Sequence, residues 1–203
     1  MNQLNLRTAA GVERDMIARL ILLLMLVLPA SVARADKVDW TLLDQPGSIV
    51  LFRHANAPGV GDPAGFTLGN CSTQRNLDAR GRQEAEAIGA EFAKRGIPVG
   101  RVLTSQWCRA RDTAELAFPG RVVDEPAFNS FFGNRQDEAA ATAAALELLG
   151  QWDGPGTMVV VSHQVNISAL TGEVPRPGEG IIIRIDGGKT TVLGRLPPPK
   201  LSE

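Results

Sequence analysis

The chain contains two histidines, His54 and His163, and each closes a short apolar run. The first run is Ser48 to Ala55, SIVLFRHA, and the second is Thr157 to His163, TMVVVSH. Unbroken apolar runs of this length read as strands buried on both faces. A cation and an imidazole at the end of such a strand need a chemical reason. In open α/β sheets ligands sit outside the carboxyl ends of the strands, so both imidazoles fall where chemistry is placed. Arg53 directly precedes His54, and Arg109 follows a short second strand, Arg101 to Thr104. Parallel strands would bring Arg53, His54, Arg109 and His163 to one edge of a sheet. That set suits a phosphoryl group. Arginine offers planar paired donors that match phosphate oxygens. A neutral imidazole nitrogen can attack phosphorus and form a phosphohistidine. Neighbouring guanidinium groups disfavour the charged imidazole and keep that lone pair free. The second histidine would donate to the equatorial oxygens as charge shifts. Phosphoryl transfer is largely positioning and charge stabilisation, so this set is sufficient without a metal or cofactor.

Strands must carry these groups to their common edge, and the chain alternates them with helices. Ser48 to Phe52 is the first strand. Ala55 to Asn76 is rich in Gly, Pro and Asn, has no period and reads as a loop, long enough to be functional or flexible. Its Gly59-Val60-Gly61 is not a dinucleotide fingerprint, lacking the third glycine and the immediate helix. Asp78 is a candidate N-cap for a helix with Ala85, Ile88, Gly89, Phe92 and Ala93 on one face, stopped by Gly96 and Pro98. After the strand Arg101 to Thr104, Ser105 is a candidate cap for a helix reaching Phe118. Arg121 to Val123 is a third strand, and Arg135 to Trp152 is a strong helix of Ala, Glu and Leu. The fourth strand, Met158 to Ser162, leads through His163 to a helix over residues 165–170. Ile181 to Ile185 and Thr190 to Leu193 form a hairpin around Asp186-Gly187-Gly188, and the tail LPPPKLSE is expected to fray. This alternation predicts a three-layer α/β/α sandwich around a mostly parallel sheet, with one hairpin strand antiparallel.

The net charge of −1 and the absence of a basic excess argue against a nucleic-acid partner. Arg14 and Arg19 precede an apolar run from Leu20 to Leu28, followed by Ala33-Arg34-Ala35, an A-x-A cleavage pattern. Residues 1–35 are therefore expected to be a signal peptide, read against a short buried helix or an uncleaved anchor. Translation starting at Met16 is an open alternative. The run is too short to span a bilayer stably. The mature chain, residues 36–203, would be one domain, periplasmic or secreted, with no membrane span. Export makes a disulfide between Cys71 and Cys108 the favoured reading over two separate buried thiols. The two cysteines lack zinc-type spacing. Arg75, Arg82 and Arg111 read as surface charge, and Phe131 and Phe132 either line a pocket or pack in the core.

Four stretches together resemble the histidine phosphatase superfamily, the phosphoglycerate mutase-like proteins. They are Leu51-Phe52-Arg53-His54-Ala55, Leu77-x-x-x-Gly81, Ser105-x-x-x-Arg109-Ala110-x-x-Thr113-Ala114 and Val161-Ser162-His163. They span most of the mature chain in the family's order. The resemblance implies that Arg53 and Arg109 bind phosphate, His54 is the nucleophile and His163 completes the pocket. Among the small exported members the sequence is similar to the lipopolysaccharide core heptose phosphatase type, which implies a small-molecule or glycan phosphate substrate. Ala55 stands where the family has glycine, and Gln164 stands where the acid-phosphatase branch has aspartate. Asn129 falls where the mutase-like branch has its proton-donating glutamate, and an amide cannot serve as an acid. The donor is then a loop carboxylate, with Asp62 first and Asp137 or Glu138 behind it, or the leaving group needs little help. Two other readings stay open: a catalytically weak phosphate- or phosphosugar-binding protein, and a mutase, which export and the missing glutamate disfavour.

Overall fold

The structure, a computed structural model, describes residues 38–201. The expected signal peptide over residues 1–35 lies outside the described residues. The apolar runs form a sheet of six strands in the order β3-β2-β4-β1-β5-β6. They are β1 (Ile49–Arg53), β2 (Val99–Thr104), β3 (Val122–Asp124), β4 (Thr157–Ser162), β5 (Gly180–Asp186) and β6 (Lys189–Leu196). β1, β2, β3 and β4 run parallel, and β5 pairs antiparallel with both β1 and β6. The fold is the expected sandwich around a mostly parallel sheet.

Alternation along β1 explains the two outer layers. Val50 and Phe52 pack with Ile88, Phe92, Ala110 and Ala114 of α1 (Ala79–Arg95) and α2 (Cys108–Ala117). Ile49 and Leu51 pack on the opposite face with Ala145, Leu149, Ile167 and Leu170 of α3 (Glu138–Gly150) and α4 (Gln164–Thr171). β1 is covered on both sides, which is why its run is uniformly apolar. Asp78 caps α1 by accepting from the Gly81 amide at 2.7 Å, as its position suggests. The buried face of α1 takes Glu84 in addition to Ala85, Ile88 and Phe92, while Ala93 is exposed. Arg135–Asp137 forms a separate 3-10 turn before α3, so the helix is shorter than expected. Leu196 is buried at the end of β6, so the start of the expected frayed tail is held in the sheet.

Two helix glycines set how closely these layers approach the site. A Cβ on Gly81 would lie 2.0 Å from the Asn56 carbonyl oxygen, and one on Gly89 would lie 2.1 Å from that of Ala117. The first contact presses α1 onto the chain just beyond His54, and the second packs α1 against the end of α2. Alanine is the better helix former by about 1 kcal/mol, so propensity alone favours Gly89→Ala. Steric overlap with backbone should outweigh that gain. We expect Gly89→Ala to lower stability by about 1–3 kcal/mol in urea unfolding, the usual cost of overpacking. An unchanged or raised midpoint would show that the helices separate without cost.

Candidate active site

The register of β1 on β4 pairs Arg53 with Ser162, so the next residues, His54 and His163, leave the sheet side by side. The His54 amide donates to the Ser162 carbonyl at 2.9 Å, and the Ser105 amide beyond β2 donates to Val161 at 3.0 Å. Three adjacent parallel strands thus end together. The two imidazole centroids are 5.5 Å apart at an interplanar angle of 64°.

His54 is 2% exposed, and its Nδ1 lies 2.8 Å from the Ala55 carbonyl oxygen. A carbonyl only accepts, so Nδ1 carries the proton and Nε2 keeps the lone pair. Burial, with Arg109, Arg53 and Arg75 nearby, lowers the His54 pKa to about 3. His163 is also buried, and burial followed by His54 and Arg109 holds its pKa well below the ordinary histidine range. Its Nδ1 is 3.4 Å from Arg109 Nη2, and a guanidinium only donates. The His163 proton therefore sits on Nε2, which donates to Ser105 Oγ at 2.8 Å. That oxygen also accepts from the Trp107 amide at 3.2 Å and donates to Asn129 Oδ1 at 3.4 Å. In this arrangement His163 Nδ1 faces the Arg109 guanidinium and its Nε2 faces Ser105. Ser105 is not a helix cap. α2 begins after Trp107 without a side-chain cap, and the Ser105 hydroxyl serves His163 instead.

Both arginines are held from behind. Arg53 Nη1 donates to Gln164 Oε1 at 2.8 Å and to the Pro175 carbonyl at 3.1 Å. Arg109 Nη1 pairs with Asp62 Oδ1 at 2.8 Å, with both side chains buried. The Nε groups of Arg53 and Arg109 are buried with no hydrogen-bond partner among the described residues. Buried donors normally find acceptors, so these two guanidinium groups keep unused donor capacity. Thr113 ties the motifs together: its hydroxyl donates to the Arg109 carbonyl at 2.7 Å and accepts from the Ala55 amide at 3.0 Å.

These groups form the floor of a cavity of about 670 Å³. One wall is the loop after β1, with Val60, Asp62, Phe66 and Arg75; the other holds Phe132, Asn134 and Asp137. Arg75 belongs to the site, against the surface-charge reading. It is half-buried, and its guanidinium donates to the Gly61 carbonyl at 2.7 Å and to that of Ala57. Arg82 and Arg111 do pair at the surface, with Asp112 and Asp124. Phe131 is core, whereas Phe132 is 55% exposed at the cavity mouth. Cys71 and Cys108 form a disulfide that fastens the loop to α2, and the Cys108 amide donates to Gln74 Oε1 at 2.9 Å. Among the described residues no three His, Cys, Asp or Glu gather as a metal site, and no helix is long and apolar enough to cross a membrane.

Asp62 reaches the cavity as expected, but its geometry is that of an acceptor. Oδ1 takes the Arg109 guanidinium and the Arg75 amide at 3.1 Å, and Oδ2 takes the Trp107 indole at 3.1 Å. Both oxygens are occupied by donors, so neither presents a proton to the cavity. Glu138 pairs with Arg135 at 3.0 Å and does not line the cavity.

The family model of the histidine phosphatase superfamily (branch 1) matches residues 49–130. Solved structures align over nearly their whole length. The protein histidine phosphatase SixA bound to tungstate has a TM-score of 0.54 at 20% identity, covering 74% of this chain and 97% of that one. The phosphoserine phosphatase of Entamoeba histolytica with 3-phosphoglyceric acid has a TM-score of 0.53 at 15% identity, covering 73% and 95%. A Thermus thermophilus protein, TTHB049, has a TM-score of 0.51 at 16% identity, covering 74% and 99%. This is the histidine phosphatase fold. The family match takes in β1, α1, β2, α2 and β3, and the likeness to the solved structures is one of fold. No curated protein is a significant match to the sequence.

The Asn129 side chain is fixed on both sides by Gln106. Its Oδ1 accepts from the Gln106 amide at 2.9 Å and its Nδ2 donates to Gln106 Oε1 at 2.8 Å. Ser105, Trp107, Gln164 and Arg75 are the site residues that the sequence does not single out for these roles. Only Ser105 carries a signal, as the first residue of the motif containing Arg109.

Both histidines are held below their unfolded pKa of about 6.5, so protons bind the unfolded chain preferentially and stability falls as pH drops from about 6.5 toward 3. Each histidine that stays neutral in the fold contributes up to about 1.4 kcal/mol per pH unit over that window. Ring ¹⁵N shifts should show His54 neutral at pH 5, with its proton on Nδ1. A His54 that titrates near 6.5 in the folded protein would refute this.

Proposed function

We propose that the mature chain is an exported phosphomonoesterase that works through a phosphohistidine on His54. The observation that carries this reading is the buried His54 ring, its proton committed to the Ala55 carbonyl, set among Arg53, Arg109 and His163. Arg53 and Arg109 bind the phosphoryl oxygens and take up charge as the P–O bond opens. His54 Nε2 attacks phosphorus, and water then hydrolyses the phosphohistidine. His163 keeps Arg109 aimed at the transferring group. Metal independence follows from the sufficiency of these cations for the transferred charge.

The substrate we favour is a sugar or glycan phosphate, in line with the resemblance to the heptose phosphatase type. Phe66, Trp107 and Phe132 offer apolar surfaces for the non-polar faces of a sugar ring. Export follows from the charged and apolar pattern of residues 1–35 and suits a disulfide-bonded domain. The competing reading, a weak phosphate-binding protein, draws on the immobilised amide of Asn129.

Residues 36–203 should hydrolyse p-nitrophenyl phosphate in the presence of EDTA. His54→Ala should remove on the order of 10⁴–10⁶-fold of kcat, the scale of losing a covalent nucleophile. A folded His54→Ala variant with parental turnover would sink the mechanism. A parent that binds phosphate esters without turning them over would favour the binding protein. Sugar phosphates should then exceed the nitrophenyl ester in kcat/KM, since remote contacts raise transition-state binding.

A further inference from the structure

We propose that Asp137 is the general acid that protonates the leaving oxygen, a role that rests on the phosphatase reading above. In-line displacement fixes where that acid must stand. His54 lies on the buried floor, so the leaving oxygen departs on the opposite side of phosphorus, toward the mouth. Among the described residues, Asp62 and Asp137 are the carboxylates lining the cavity. Asp62 is occupied on both oxygens by Arg109, Arg75 and Trp107. Asp137 stands on the other wall, exposed at the mouth beside Phe132 and Asn134. Asn134 Nδ2 donates to its Oδ2 at 3.0 Å, which orients the carboxyl group and leaves Oδ1 for a proton. The neighbouring cation does not compete for it: Arg135 pairs with Glu138 and lies over the Phe131 ring. Asn129 does not line the cavity, whereas Asp137, eight residues further along the same segment, does.

The lone pair of His54 Nε2 forms the N–P bond while the ester P–O bond breaks, its electrons passing to the leaving oxygen. The Asp137 proton moves to that oxygen, giving an alcohol and the Asp137 carboxylate. Water then attacks phosphorus on the same outer side and gives one proton to Asp137. The N–P bond breaks, its electrons return to Nε2, and inorganic phosphate leaves.

A leaving-group series tests this: p-nitrophenyl, phenyl and benzyl phosphate with the parent, Asp137→Asn, Asp137→Glu and Asp62→Asn. An acid matters most for a poor leaving group. Asp137→Asn should therefore lower kcat on benzyl phosphate by about 10²–10⁴-fold and on p-nitrophenyl phosphate by less than about 5-fold. Asp137→Glu should recover part of the benzyl phosphate rate. Asp62→Asn, which loosens Arg109, should weaken all three esters alike and act mainly on KM. Equal losses across the series in Asp137→Asn, or a benzyl-selective loss in Asp62→Asn, would overturn the assignment while leaving the phosphatase reading intact. A parent that hydrolyses none of the esters would remove both.

Discussion

The pairing of β1 with β4 is the constraint on which the site depends. One register brings Arg53 level with Ser162, and the hydrogen bond from the His54 amide to Ser162 extends that pairing one residue past the strand. A slip of a single residue would turn the apolar side chains of β1 to the wrong layers and carry His54 away from His163. The two cores on either side of β1 therefore hold the register that sets His54 beside His163. Core packing and imidazole placement are one problem here, solved by Ile49, Val50, Leu51 and Phe52 together.

Burial then decides the chemistry of those imidazoles. A histidine in water is half-protonated near neutrality and a poor nucleophile when charged. Here removal from water and three nearby guanidinium groups act in the same direction, and both rings stay neutral. The same burial would be costly for the arginines, and the surrounding oxygens offset it. Asp62, Gln164 and the Pro175 and Gly61 carbonyls each accept from one of them. The site is thus a charged cluster whose cations are positioned by neutral or anionic acceptors, with two buried guanidinium Nε donors left unpaired among the described residues.

Much of this is legible in the sequence because strands buried on both faces announce themselves as unbroken apolar runs. The ends of those runs name Arg53, His54 and His163, and the Asp78 cap marks the start of α1. What escapes is whatever depends on the path of a loop. Arg75 looks like surface charge until the chain from Ala55 to Asn76 folds back and its guanidinium finds two carbonyls inside that loop. Ser105 fits a helix cap by type, but the position of His163, distant in sequence, claims its hydroxyl. Asp62 reaches the cavity on its glycine-rich loop, yet its partners Arg109 and Trp107 lie too far along the chain for periodicity to reveal them.

The bond between Cys71 and Cys108 joins residues 37 apart in sequence, and one of them is the immediate neighbour of Arg109. In chain-entropy terms such a link stabilises the fold by roughly 4 kcal/mol. Its location gives it a second meaning. Cys108 is buried while Cys71 is exposed, so one end of the bridge is accessible to thiols in the surroundings. The loop bearing Asp62 and Arg75 is stitched to the helix bearing Arg109 by a covalent link that exists only after oxidation. A freshly synthesised, reduced chain has to hold that wall with hydrogen bonds alone. The finished geometry of the cavity floor is therefore a product of oxidation as well as of sequence.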